Sequence, residues 1–218
     1  MAIRGLIFDL DGVLVDSARY HVEAWKRLAA FLGIDFTEEQ NEELKGISRA
    51  DSLKKILNWG GLELREQEFS DAMERKNTWY LELIQDMASD DALSGCRAFL
   101  ESAKGTYGVA LGSASRNARS ILQQVELLSF FDALVDGNDT TRSKPDPQVF
   151  QLAADRLGLK PEECVVFEDA VAGVQAARAA GMRVIGVGAS DVLHEADAVI
   201  AGFAGFGPKE MEQRLMAI

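Results

Sequence analysis

The chain is short of cysteine, of positive charge and of long apolar runs, and each shortage removes a class of protein. Its 218 residues hold two cysteines, Cys96 and Cys164, far apart and outside any metal-binding or redox spacing. They are expected to be reduced thiols. A chain of this length buries about 70% of its unfolded surface, so its core needs no staple. Lys and Arg number 23 against 35 Asp and Glu, a net charge of −12. Nucleic-acid backbones are held by clustered cations, so no nucleic-acid partner is expected. No apolar stretch approaches the ~18–20 residues of a spanning helix, so no membrane partner is expected either. The opening from Met1 to Val15 is apolar only briefly and is broken by Asp9 and Asp11, unlike a signal peptide. The expected location is therefore cytoplasmic. Hydrophobic residues at 47% beside 27% charged ones exclude a disordered chain.

What is present has a clear order. A short apolar run, Gly5-Leu6-Ile7-Phe8, stops at Asp9, and from about Ser17 to Met87 the pattern is helical. Short β-rich runs then alternate with amphipathic helices: Val109–Leu111, Ala133–Val135, Val165–Phe167, Val184–Val187 and Ala198–Ile200. Such alternation predicts βαβ units around a parallel sheet buried on both faces. The expected fold is α/β, a Rossmann-like parallel sheet core with a helical cap domain inserted after the first strand. The core is expected over 1–16 and 89–218 and the cap over 17–88, with hinges near Asp16 and Ser89–Ser94.

Two features of the helical block bear on chemistry. From Arg65 to Met87, the residues Phe69, Met73, Tyr80, Leu83, Ile84 and Met87 form one stripe, with Lys76 in its middle. Lys76 either snorkels past the edge of the core or meets something anionic, because a buried unpaired charge is costly. Ser48, with Asp51 three residues on, is an N-cap signature ahead of Leu53, Ile56 and Leu57. That places Arg49 and Ser52 in a first helical turn, where anions are favoured; Arg49 is either a solvated cap residue or a phosphate anchor.

The sharpest motif is Phe8-Asp9-Leu10-Asp11-Gly12-Val13, two carboxylates at the end of a strand, where open α/β sheets place ligands. A bare pair of this kind is common. Three other strand ends converge with it. Leu111 runs into Gly112-Ser113-Ala114-Ser115-Arg116-Asn117, a hydroxyl-bearing turn suited to phosphate oxygens or to simple capping. Ser143-Lys144-Pro145-Asp146-Pro147 sets a lysine in a proline-flanked loop. Val165-Val166-Phe167 ends in Glu168-Asp169, before a helix containing Gly173.

This succession resembles the four motifs of the haloacid dehalogenase superfamily of phosphotransferases, and the resemblance covers nearly the whole chain. Within the superfamily the chain is similar to the β-phosphoglucomutase branch. That narrower likeness rests on Asp16-Ser17-Ala18-Arg19-Tyr20-His21 leading to Trp25-Lys26, on Leu44 to Leu53, and on Arg75-Lys76-Asn77. The resemblance implies that Asp9 is the nucleophile and Asp11 the general acid and base. It implies Mg²⁺ held by Asp9, the Asp11 carbonyl, Glu168 and Asp169, an oxygen donor set suited to a hard cation. Ser113 and Lys144 would hold the phosphoryl group in transit. Arg49 with Ser115, Arg116 and Asn117 would grip a second, non-reacting phosphate. Trp25 and Ser52 would line the sugar, Lys76 would meet an anionic group of the substrate, and Gly46 and Ala114 are further implied substrate-binding positions. His21 reads from its helix as a packed structural histidine, whereas the resemblance places it near the hinge and Asp11. Arg116 stands where lysine is frequent, and Ser17 where threonine is frequent.

The implied activity is interconversion of β-D-glucose 1-phosphate and D-glucose 6-phosphate, with β-glucose 1,6-bisphosphate as intermediate and activator. The alternative is a sugar-phosphate phosphatase on the same fold. A non-catalytic binding protein would most simply have lost Asp9 or Asp11. Small-molecule sugar phosphates are the expected partners, and a monomer the expected state.

Overall fold

The computed structural model describes residues 2–216. Six strands form one parallel sheet: β1 (Gly5–Phe8), β2 (Gly108–Gly112), β3 (Ala133–Val135), β4 (Cys164–Glu168), β5 (Arg183–Val187) and β6 (Ala198–Ile200), in the order β3-β2-β1-β4-β5-β6. Every β1 and β4 residue is buried, which is why these strands read as continuous apolar runs and not as alternating ones. Successive side chains still point to opposite faces. Leu6 and Phe8 pack into one hydrophobic layer with Phe167 and Leu111, and Ile7 into the other with Val166 and Phe150. Phe8 and Phe167 sit opposite each other in register and stack with centroids 4.7 Å apart.

Helices α5 (Cys96–Ala103), α6 (Ala118–Gln124), α7 (Gln148–Leu157), α8 (Val171–Ala179) and α9 (Pro208–Met216) cover the sheet. Between β1 and β2 run α1 (Ala18–Leu32), α2 (Glu38–Glu42), α3 (Arg49–Trp59) and α4 (Glu66–Leu83). They enclose their own apolar cluster of Trp25, Leu28, Ile34, Leu53, Ile56 and Ala72. Ser48 caps α3 as its spacing predicts, its hydroxyl accepting from Asp51 N at 3.2 Å. The stripe expected to run to Met87 leaves the helix at Leu83. Ile84 takes a non-helical conformation, and Ile84 and Met87 are buried from the turn that follows. Thus α4 spans two interiors: Phe69 and Met73 pack on the helical cluster, Tyr80 on the sheet layer. The two chain crossings run antiparallel, Leu93 N donating to Leu14 O at 2.9 Å and Asp16 N to Asp91 O at 3.2 Å. Among the described residues no helix is long and apolar enough to cross a membrane.

The chain leaves β1 for β2 and β3 on one side and returns to β4 on the other. The sheet order therefore reverses at β1, and a crevice opens at the carboxyl ends of β1 and β4. Register sets Phe8 level with both Leu111 and Phe167, so the residues after all three strands emerge side by side.

Candidate active site

Asp9 follows β1 and is only 5% exposed. Lys144 Nζ donates to Asp9 Oδ1 at 2.6 Å and to Glu168 Oε1 at 2.5 Å, so one buried ammonium joins two strand ends. The second oxygen of Glu168 accepts from Ala170 N at 2.8 Å. Gly173 is required beneath it, since a Cβ there would overlap the Glu168 carboxylate. Gly12 turns the chain at φ +78°, and a Cβ on it would overlap the Asp169 carboxylate. Asp169 thereby lies against the Asp11–Gly12 backbone. Ser113, almost wholly buried, accepts from Ser115 N at 3.1 Å, and Ser115 Oγ accepts from Asn117 N at 3.3 Å.

Two of the three carboxylates here share one ammonium, and the charge imbalance shows. Burial, with Glu168 and Asp11 adding to it, pushes Asp9 up to about 7 against the pull of Lys144. Burial and the charges of Glu168 and Asp9 hold Asp169 well above the carboxylate range. Burial opposes the Lys144 charge, but Asp9 and Glu168 outweigh it and raise that group. Among the described residues no three His, Cys, Asp or Glu side chains already stand at metal-ligand spacing, and Asp9 and Glu168 both bind Lys144. The donor set nevertheless fits a hard divalent cation: all its atoms are oxygens, and its surplus negative charge is what such a cation neutralises.

Asp11 lies differently. Burial would raise it, but His21, a hydrogen bond from Ser17 Oγ, and Lys76 together lower it. His21 Nε2 is 3.6 Å from Asp11 Oδ1, and Lys76 Nζ is 2.8 Å from His21 Nδ1. An ammonium can only donate, so Nδ1 accepts and Nε2 carries the hydrogen toward Asp11. His21 is thus no simple core histidine. Burial and Lys76 lower its pKa against the pull of Asp11.

A cavity of about 620 Å³ separates these strand ends from α1–α4, and Trp25, Gly46, Ser52 and Ala114 are among the residues lining it. Gly46 enters with φ +74° and approaches the Ala170 methyl. Lys76 does not snorkel to solvent. It is 2% exposed, with Nζ 4.8 Å from the Trp25 ring centre and 4.6 Å from that of Tyr80. Two aromatic faces return about 2 kcal/mol, less than the several kcal/mol that burying an ammonium costs. Burial and the nearby Arg49 hold Lys76 well below its ordinary pKa. Arg49 is also lowered, by burial and by Arg116. Lys76 and Arg49 from the helices and Arg116 from the turn after β2 thus line one cavity with no salt-bridge partner among the described residues.

The structure also brings in residues that sequence reasoning did not nominate. Asn77 Oδ1 accepts from Arg49 Nη2 at 2.7 Å and from Asn117 Nδ2 at 3.0 Å. Asp51 Oδ2 accepts from Ser48 at 2.7 Å and from Ser143, beside Lys144, at 2.6 Å. Tyr80 packs its ring on His21, centroids 4.1 Å apart. Asn77 adjoins Lys76 in a motif already singled out, the one signal that could have found it.

A family model described as haloacid dehalogenase-like hydrolase matches residues 3–181. The chain belongs to that family. It is 41% identical to a β-phosphoglucomutase of Bacillus subtilis, over 91% of this chain and 89% of the relative. A crystal structure of β-phosphoglucomutase from Clostridium difficile superposes with a TM-score of 0.95 at 36% identity, covering 99% of this chain and 98% of that one. The family also holds a phosphorylated carbohydrates phosphatase of Thermotoga maritima, 31% identical over 85% of each chain. By its similarity to the mutases the chain is an enzyme, a phosphotransferase of the haloacid dehalogenase-like family.

Proposed function

We propose that the enzyme is a Mg²⁺-dependent mutase interconverting β-D-glucose 1-phosphate and D-glucose 6-phosphate. One observation carries the reading: the cavity has two anion-seeking groups, Lys144 with Ser113 at Asp9, and Arg49 and Lys76 from α3 and α4 with Arg116 from the turn after β2. A bisphosphate intermediate needs both, whereas a phosphatase needs one. The relatives named as mutases support the same reading.

In the proposed cycle Asp11, held as a carboxylate by Ser17 and His21, takes the proton of the sugar 6-hydroxyl. That oxygen attacks the phosphoryl group on Asp9, the Asp9–phosphorus bond breaks, and β-glucose 1,6-bisphosphate forms. The bisphosphate reorients, Asp9 attacks the phosphorus at C1, and Asp11 returns its proton to the leaving oxygen. Lys144 and Ser113 hold the transferring oxygens, while Arg49, Ser115, Arg116 and Asn117 hold the other phosphate. The segment 17–88 acts as the cap that excludes water. Mg²⁺, held by Asp9, Asp169, the Asp11 carbonyl and Glu168, supplies positive charge that offsets the phosphoryl oxygens.

The decisive experiment follows β-glucose 1-phosphate with Mg²⁺ and a trace of the 1,6-bisphosphate, recording glucose 6-phosphate and free phosphate together. Glucose 6-phosphate forming far faster is expected; free phosphate dominating would make the enzyme a phosphatase, as some relatives are named. Arg49→Ala is expected to cut mutase kcat/KM about 100-fold, the worth of a charge-assisted phosphate contact. Hydrolysis of a small aryl phosphate should suffer much less, and equal losses would sink the second phosphate site.

The carboxylate cradle makes a separate prediction. Without metal, the folded protein holds a proton on Asp9 that the unfolded chain has released, so this group lowers stability as pH rises from about 4 toward 7, and Asp169, also raised, acts in the same direction. Mg²⁺ competes with those protons. At 10–100 times its Kd it should add about 1–3 kcal/mol. Thermal melts should show that gain at pH 7.5 and little of it at pH 5; an equal gain at both would contradict the assignment.

A further inference from the structure

We infer that Asn77 is the positioning residue of the distal phosphate site, and that it works because its acceptor is neutral. The inference rests on the two-site reading above. Asn77 projects from α4, Arg49 from the first turn of α3, and Asn117 stands at the start of α6, so one amide oxygen joins three elements. It accepts at 2.7 Å from Arg49 Nη2 and at 3.0 Å from Asn117 Nδ2. Arg49 cannot accept, so the oxygen, not the amide nitrogen, must face it. Two donors occupy both lone pairs, and the guanidinium and the Asn117 amide are locked in relative position across the boundary between helices and sheet.

A carboxylate could make the same two bonds, and more strongly. It would also neutralise the guanidinium. With a neutral acceptor, Arg49 is oriented and keeps its charge, which adds to that of Arg116 nearby. Arg49 retains four N–H donors for a ligand. The pattern is that of an anion site preorganised without an anion: geometry is fixed by a dipole, and the charge remains for the phosphate.

The distinguishing experiment compares Asn77→Asp with Asn77→Ala, reading KM for β-glucose 1-phosphate, KM for a small aryl phosphate and the melting temperature. Asn77→Asp keeps both bonds, so its melting temperature should equal or exceed the parent's. Its added charge should raise KM for the sugar phosphate about 30-fold or more, with a much smaller change for the aryl phosphate. Asn77→Ala should raise the same KM only about five- to tenfold, the worth of a lost neutral hydrogen bond. The order Asp worse than Ala is the signature, because a residue that merely held Arg49 in place would show the reverse. Ala equal to or worse than Asp overturns the inference. If the Asp variant does not fold, inhibition by inorganic phosphate decides. Asn77→Ala should then raise its inhibition constant against the sugar phosphate about fivefold, and no change overturns the inference. Arg49→Ala separates the two levels. If it leaves KM for the sugar phosphate unaltered, the distal site itself fails. If it raises KM and the Asn77 order is absent, the role of Asn77 alone fails.

Discussion

Asp9→Asn is expected to abolish sugar-phosphate turnover, by about 10⁴-fold or more, while the protein stays folded. The magnitude is that of removing a nucleophile from a site whose other members cannot replace it. The intact fold follows from the surroundings. The parent carboxylate is 5% exposed and pushed up to about 7 by burial, so its charge opposes folding at neutral pH. An amide oxygen still accepts from Lys144, which keeps Glu168 as its ionic partner at 2.5 Å. Without metal the variant should melt no lower than the parent at pH 7.5. With Mg²⁺ the order should reverse, since the variant has lost an anionic donor. Turnover above about 1% of the parent, by the coupled glucose 6-phosphate assay, would remove Asp9 from the nucleophile's role.

Lys144→Ala should be damaging in both respects. Its ammonium is 2% exposed and holds Asp9 and Glu168 together. Without it two buried carboxylates face each other across an empty volume. Breaking a buried ion pair by deleting one partner costs about 3–5 kcal/mol. For a chain of this length that is on the order of 10 °C in melting temperature. Protonating the orphaned carboxylates relieves the repulsion, so the deficit against the parent should be smaller at pH 5 than at pH 8, and Mg²⁺ should restore part of it at pH 8. Activity should fall with stability, because the same ammonium is placed to hold the transferring oxygens. A melt within about 1 °C of the parent at pH 8 would show that Lys144 is not the counter-ion its distances make it.

Much of this was legible in one dimension. The six strands lie on the six apolar runs, α1 to α4 fill the block read as helical, and Asp9, Ser113, Lys144 and Glu168-Asp169 emerge together at the sheet's carboxyl edge. Other residues were ambiguous until packed. The stripe on α4 allowed Lys76 to reach solvent or to meet an anion; its 2.8 Å contact with His21 and its place between Trp25 and Tyr80 show that it turns inward. Arg49 could be a solvated cap residue, the common case for such a turn, or a phosphate anchor; in the fold Asn77 holds it. Glu168 and Asp169, adjacent and chemically alike, part company. Both oxygens of Glu168 are engaged by Lys144 and Ala170, while Asp169 turns to the cavity over Gly12.

By itself, then, the sequence determined the α/β class, the place of the helical block and the strand ends where the ligand-facing residues lie. These follow from side-chain periods of two and 3.6 residues and from residues that stop strands and start helices, all of which act over a few neighbours. Only the tertiary structure decided which charges meet: Lys144 with Asp9 and Glu168, His21 between Lys76 and Asp11, Asn77 between Arg49 and Asn117. Those pairings join residues from 10 to 135 positions apart. Their energies depend on separation and on exclusion of water, which arise only once the helices close over the sheet.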